Sequence, residues 1–175
     1  MPTKSRFYWT YASFLIRNPI ERPDVLGKLY EQASRPEELP RSAPYRAAWL
    51  CWKERWAEAL ELINTLPAAQ RAPVLKARAL LGLRRDAEAL ALLQNPANFR
   101  FSDLERFGLL ALALEKAGRF AEAEHAACYA AYVMPDDPDV QALAARLLAR
   151  TPHSAALQAI VNDPVMAPLP PGKVP

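Results

Sequence analysis

Glycine is scarce in this sequence, with five residues among 175. A loop that cradles phosphate groups needs several glycines, because the backbone must come close to the ligand. No strand-like pattern with such a turn occurs, and the G-x-S-x-G and H-E-x-x-H motifs of hydrolases and zinc proteases are missing as well. The sequence therefore predicts a protein that is not an enzyme and needs no cofactor.

Cysteine and net charge are also low. Cys51 and Cys128 are the two cysteines, they lie far apart, and they form no C-x-x-C pair. Secreted disulfide frameworks need more cysteines than this, so a reducing compartment is the simpler interpretation.

The formal net charge is +3 and both signs are interspersed along the chain. This pattern disfavours nucleic acid as a partner, because phosphate backbones attract basic stripes or tails.

Long apolar runs are missing too. The N-terminal run is about ten residues long, is interrupted by Thr10 and Ser13, and is followed by Arg17 rather than a cleavage site. The sequence therefore predicts no membrane span, no secretory signal and a cytoplasmic location. The aromatic residues of this run recur at helical spacing, which favours core packing. A membrane-surface helix or a ligand stack stays an alternative.

What the sequence does contain is a repeat. The segments RWAEALELI, RDAEALALL and RFAEAEHAA resemble one another, and each is followed by further apolar residues. Their central alanines, Ala59, Ala89 and Ala123, are spaced 30 and 34 residues apart. Periods of this size are typical of stacked helical hairpins, in which each repeat supplies two helices.

The third copy, residues 104–137, resembles one complete tetratricopeptide repeat. Gly118 lies where the turn between the two helices needs unusual backbone angles, and Pro135 ends the second helix. Ser102 and Glu105 form a capping-box pattern before the first helix. The other matching positions carry the large and small apolar residues of the repeat: Phe107, Leu110, Ala111, Leu114, Phe120, Ala123, Ala127 and Ala130.

The resemblance implies an all-α solenoid of about five hairpins in a single domain, residues 1–163. The clearest repeats are 41–69, 70–100 and 104–137, with degenerate hairpins at 5–35 and 138–163 that close the ends. In the last hairpin the repeat register predicts that Ala145 and Leu148 are core residues. Pro67 and Asn95-Pro96 should shorten the second helices of the first two copies. Residues 164–175 hold five prolines and should form an extended tail, with a docking peptide as the alternative.

Glu122, His125 and Cys128 form the best candidate for chemistry, because residues three apart share one face of a helix. Zinc needs four ligands and di-iron bundles need two Glu-x-x-His motifs, whereas the sequence holds one. A Cys-His nucleophile pair is also conceivable. The repeat register places the apolar seam elsewhere, so we expect these three side chains on a solvated face or on a face that contacts a capping hairpin, with no catalytic or metal site.

The resemblance also implies a partner-binding groove, formed by the first helix of each repeat. Lysine and asparagine are missing at the groove positions of a carboxylate clamp, so that subtype is disfavoured. The remaining surface suits an amphipathic helix or an extended apolar segment, steered by Arg41, Arg71 and Arg78. The groove positions are Arg41, Pro44, Ala48, Cys51, Trp52, Arg71, Val74, Arg78, Leu81, Gly82, Glu105, Gly108, Leu112, Glu115 and Lys116.

These features favour a non-enzymatic protein-binding module, an adaptor or chaperone. The setting is similar to that of small bacterial secretion chaperones with three repeats, notably those of type III systems. A structural or self-assembling subunit is the alternative, and the oligomeric state stays open. Helical repeats that read RNA need a polar code and a strongly basic groove, which these positions lack.

Overall fold

Runs of alanine and leucine broken by prolines and short polar turns form helices throughout the part of the chain that the structure describes. The structure is a computed structural model, and it describes residues 39–67, 72–99, 103–135 and 137–163, which contain no strand. The all-helical prediction is therefore confirmed for these ranges, whereas the predicted hairpin 5–35 and tail 164–175 lie outside them. The helices are α1 Leu39–Trp52, α2 Trp56–Thr65, α3 Pro73–Gly82, α4 Asp86–Gln94, the short 3-10 helix Pro96–Asn98, α5 Glu105–Lys116, α6 Phe120–Val133, α7 Pro138–Arg150 and α8 Ala155–Asn162.

Prolines and side-chain caps determine where several helices begin and end. Helix α2 stops at Thr65 ahead of Pro67, and α4 stops at Gln94 ahead of Pro96, so both are shorter than the 14-residue α6, as predicted. Asp137 caps α7 by accepting hydrogen bonds from the backbone N–H groups of Asp139 and Val140. Ser154 caps α8 in the same way through the N–H of Leu157. Ser102 of the predicted capping box lies outside the described residues.

Three short helix connections pass through left-handed backbone. The residues with positive φ are Glu54 at 57°, Arg84 at 57° and Gly118 at 74°. At Gly118 the N–H donates to Glu115 O over 3.0 Å, and the next N–H, of Arg119, donates to Leu114 O over 2.9 Å. Glu54 and the residue after it form the same pair of bonds, which is the Schellman closure of a helix end. The unusual backbone angles predicted at Gly118 are confirmed, whereas the left-handed backbone at Glu54 and Arg84 was not predicted from the sequence.

An arginine follows each of these three residues and pairs with the glutamate three positions later. The Nε atoms of Arg55, Arg85 and Arg119 donate to Glu58, Glu88 and Glu122 over 2.6, 2.7 and 2.7 Å. A second bond from Nη2 makes each pair bidentate. Each arginine is the residue just before its helix, and no side chain caps these three helices by a hydrogen bond. The glutamate lies in the first turn, where the helix dipole stabilises a negative charge. The R-x-A-E pattern of the sequence is thus a turn motif.

The chain divides between Leu83 and Arg84 into two compact units. In the first unit α1 packs against α2 and α3, and α2 packs against α3. Its buried residues include Ala59, the central alanine of the first repeat copy, together with Ala47, Leu50, Ile63, Ala77 and Leu80. The indole of Trp56, at the start of α2, packs closely on Gly82, at the end of α3. A Cβ atom at that glycine would lie 2.6 Å from Cε2 of the ring, so no larger residue fits without a shift.

In the second unit each helix packs against the next one, and two also pack against the helix after that. Helix α5 contacts α4, α6 and α7, while α6 also contacts α7 and α8, and α7 contacts α8. Leu93, Leu147, Leu157 and Ile160 are among the largest fully buried side chains. Seven residues of α6 are buried, five of them alanine, because small side chains let neighbouring helices approach from two sides.

The register predicted for α7 is wrong by one residue. Ala145 is exposed and Leu148 is half-buried, whereas the buried residues are Val140, Leu143, Ala144 and Leu147. These four positions form an i, i+3, i+4, i+7 stripe that contains one valine and two leucines, so it buries more apolar surface than the alanine-rich stripe beside it. Packing energy therefore overrides the strict 34-residue period.

Candidate functional site

Glu122, His125 and Cys128 lie in three different environments on α6. Glu122 is engaged by Arg119, whose hydrogen bonds lower the pKa of this carboxyl group. His125 is half-buried, and its ring meets the ring of Tyr129 edge-on at 5.4 Å between centroids. Among the described residues no group of three or more histidine, cysteine or acidic side chains could hold a metal ion.

Cys128 does not lie on a solvated face, the first of the two predicted alternatives, because it faces the interior. Only 4% of its surface is exposed. Helix α6 also packs against α7 and α8, which form the end hairpin predicted at 138–163. Burial, reinforced by the nearby Glu124 charge, raises the pKa of the thiol to about 11. A protonated, buried thiol is a poor nucleophile at neutral pH.

Cys51 is a buried thiol of the same kind. It is buried, and its Sγ lies 3.8 Å from the Leu75 carbonyl oxygen, which accepts a weak S–H hydrogen bond. Burial raises the pKa of this thiol to about 11, although the positive charge of Arg78 acts in the opposite direction. Both cysteines are therefore core residues.

Arg106 is the buried charge that sequence reasoning missed. It is 6% exposed, and its Nε donates to Leu93 O over 3.1 Å near the C-terminal end of α4. Its guanidinium carbon lies 5.2 and 5.4 Å from the ring centroids of Phe99 and Phe107, within cation–π range. Burial lowers its pKa. A cation at the C-terminal end of a helix is favourable, so this arginine ties α5 to α4.

The predicted groove residues of the third repeat share one stripe of α5. Glu105, Gly108, Leu112 and Glu115 are half-buried and Lys116 is exposed, while the buried residues of the helix face the other way. At 100° per residue these five positions fall within one third of the helix circumference. Leu109 is also half-buried and lies in the same sector. We call these six residues the α5 stripe.

Ion pairs connect one end of the α5 stripe to the neighbouring helices. Glu115 is 11% exposed on its side chain and accepts from Arg146 Nη2 of α7 over 3.1 Å. Lys116 Nζ donates to Asp86 of α4 over 3.0 Å. Asp86 stands where the repeat pattern expects an aromatic residue, so an inter-helix ion pair takes the place of that contact. The leucines and Gly108 make the middle of the stripe apolar.

The first unit presents fewer of the predicted groove residues. Ala48, Cys51 and Leu81 are buried and offer a partner no surface, and Gly82 packs against Trp56. Val74 and Arg78 are half-buried and lie one turn apart on α3. Trp52 is half-buried with Lys53 Nζ 4.3 Å from its ring centroid. The side chains of Arg41 and Pro44, and the whole of Arg71, lie outside the described residues.

Two further observations bear on the kind of protein this is. No helix among the described residues is both long and apolar enough to cross a membrane. No known protein family, curated protein or solved structure matches the chain.

Proposed function

We propose that this chain is a non-enzymatic protein-binding module, built of helical hairpins that resemble tetratricopeptide repeats. Local structure supports the resemblance. The same turn, a left-handed residue followed by an Arg-Glu pair, recurs at Glu54, Arg84 and Gly118, with the spacings of 30 and 34 residues seen in the sequence. Helices within each unit also pack mainly against their neighbours in sequence, which is the contact pattern of repeat proteins.

The α5 stripe is the observation that carries the proposal. Leu109 and Leu112 keep part of their apolar surface accessible, while Gly108 beside them faces Val140 of α7. Glu115 and Lys116 already pair within the unit, so binding an apolar segment over the leucines does not require these two charges to be desolvated without partners. Such a surface suits the apolar face of an amphipathic helix or an extended apolar segment.

We further propose that the chain acts as an adaptor or a chaperone for a partner of this class. An adaptor or chaperone holds an exposed apolar segment of another protein, and small bacterial secretion chaperones with three repeats do this in the cytoplasm. The first unit has a comparable surface of its own, in which Val74 and Arg78 are half-buried on α3 and Arg78 could steer an acidic residue of a partner.

Replacing Leu112 with aspartate tests the proposal. A charge in the middle of the α5 stripe should remove partner protein from pull-downs of the tagged chain in its native host, because an apolar segment cannot solvate the carboxylate. Leu92→Asp is the matched control, since Leu92 is also half-buried in a helix of the same unit but lies on α4. Circular dichroism should show both variants helical.

Quantitative mass spectrometry of the captured proteins decides between the outcomes. The proposal predicts at least a tenfold loss of one or a few specific partners with Leu112→Asp and retention of them with Leu92→Asp. That fold-change is about 1.4 kcal/mol, a modest value for the loss of one apolar anchor. Equal capture by the wild-type protein and Leu112→Asp would rule out the α5 stripe as the binding surface.

A structural or self-assembling subunit is the second candidate. Among the described residues of the second unit, two large apolar side chains are exposed, Tyr132 by 55% on α6 and Val161 by 42% on α8. Exposed apolar residues are common singly, but they are also the residues that contacts between copies would bury. Sedimentation over a concentration series separates the candidates, because a strict monomer excludes self-assembly.

A further inference from the structure

We draw no further inference here: the strongest candidate, the alanine-lined outer face of α7 formed by Ala142, Ala145 and Ala149, carries nothing because no contact among the described residues shows what covers it.

Discussion

Gly118 and Gly108 are the same amino acid in two different physical situations. Gly118 has φ +74°, a conformation that costs other residues about 1–2 kcal/mol, and a Cβ added there would meet nothing within 4 Å. Gly108 is an ordinary helical residue whose added Cβ would sit 3.5 Å from Val140 Cγ2, an ordinary van der Waals distance. Backbone conformation therefore decides how a larger residue at position 118 would change stability, and helix propensity decides it at position 108.

Substitution of each glycine by alanine should shift stability in opposite directions. Gly118→Ala should lower the free energy of unfolding by about 1 kcal/mol because of the left-handed backbone. Gly108→Ala should leave it unchanged or raise it by up to about 1 kcal/mol, since alanine favours helix. Urea denaturation followed by circular dichroism measures both. If the two variants moved in the same direction by similar amounts, the assigned backbone at Gly118 would be wrong.

The buried thiol of Cys128 makes a prediction about alkaline pH. Its pKa is raised from 9.0 to about 11, so the folded state keeps a proton that the unfolded state loses first. The contribution to stability is fully present below pH 9 and is lost progressively as pH rises toward 11. Wild-type protein should therefore lose stability more steeply over this range than Cys128→Ala. Cys51, which is present in both proteins, cancels from the difference.

Urea midpoints measured at several pH values between 8 and 10.5 test this expectation. The difference between the wild-type protein and Cys128→Ala should be constant below pH 9 and should then shrink as pH increases. Parallel curves over the whole range would show that the thiol is not buried in solution. The same result would place Cys128 on a solvated face, the first of the two faces that the repeat register allows.

The helices themselves were largely predictable, and the reasons are local. Prolines end α2, α4 and α6 where the sequence indicated, and the alanine and leucine positions of the three repeats are buried as predicted. What the sequence left open or predicted wrongly concerns contacts with a neighbouring element. Cys128 is buried in a helix that packs against α5, α7 and α8, and the register of α7 follows its largest apolar residues. The burial of Arg106 could not be predicted from the sequence, because a charged residue in a helix is expected to face solvent unless its neighbours are known.

The close contact between α2 and α3 also depends on one residue pair. Trp56 is half-buried and packs on Gly82 so closely that a methyl group there would overlap its indole. Gly82→Ala should therefore cost about 1–3 kcal/mol despite the better helix propensity of alanine, because overpacking forces the ring or the backbone to move. Chemical denaturation measures this loss.

A double-mutant cycle shows whether the ring is the cause. In a Trp56→Ala background the space over Gly82 is open, so Gly82→Ala should become neutral or stabilising there. An unchanged cost in that background would mean that the indole does not constrain Gly82. The α5 substitution Gly108→Ala serves as a control, since it adds the same methyl group to a helix without a clash.

At the scale of the whole molecule, the division between Leu83 and Arg84 predicts that the second unit folds by itself. Residues 84–175 contain α4 to α8 with their own buried core, and chains of this size can fold without a metal or disulfide. The fragment should therefore give a helical circular dichroism spectrum and one cooperative thermal transition. In the same fragment Leu147→Asp should abolish the transition, because that side chain is 1% exposed. A helical fragment that melts without cooperativity, or one that is unfolded, would contradict an independent second unit. If the fragment folds and also retains the captured partner, the second unit is sufficient for binding, and the residues before Arg84 are not required for it.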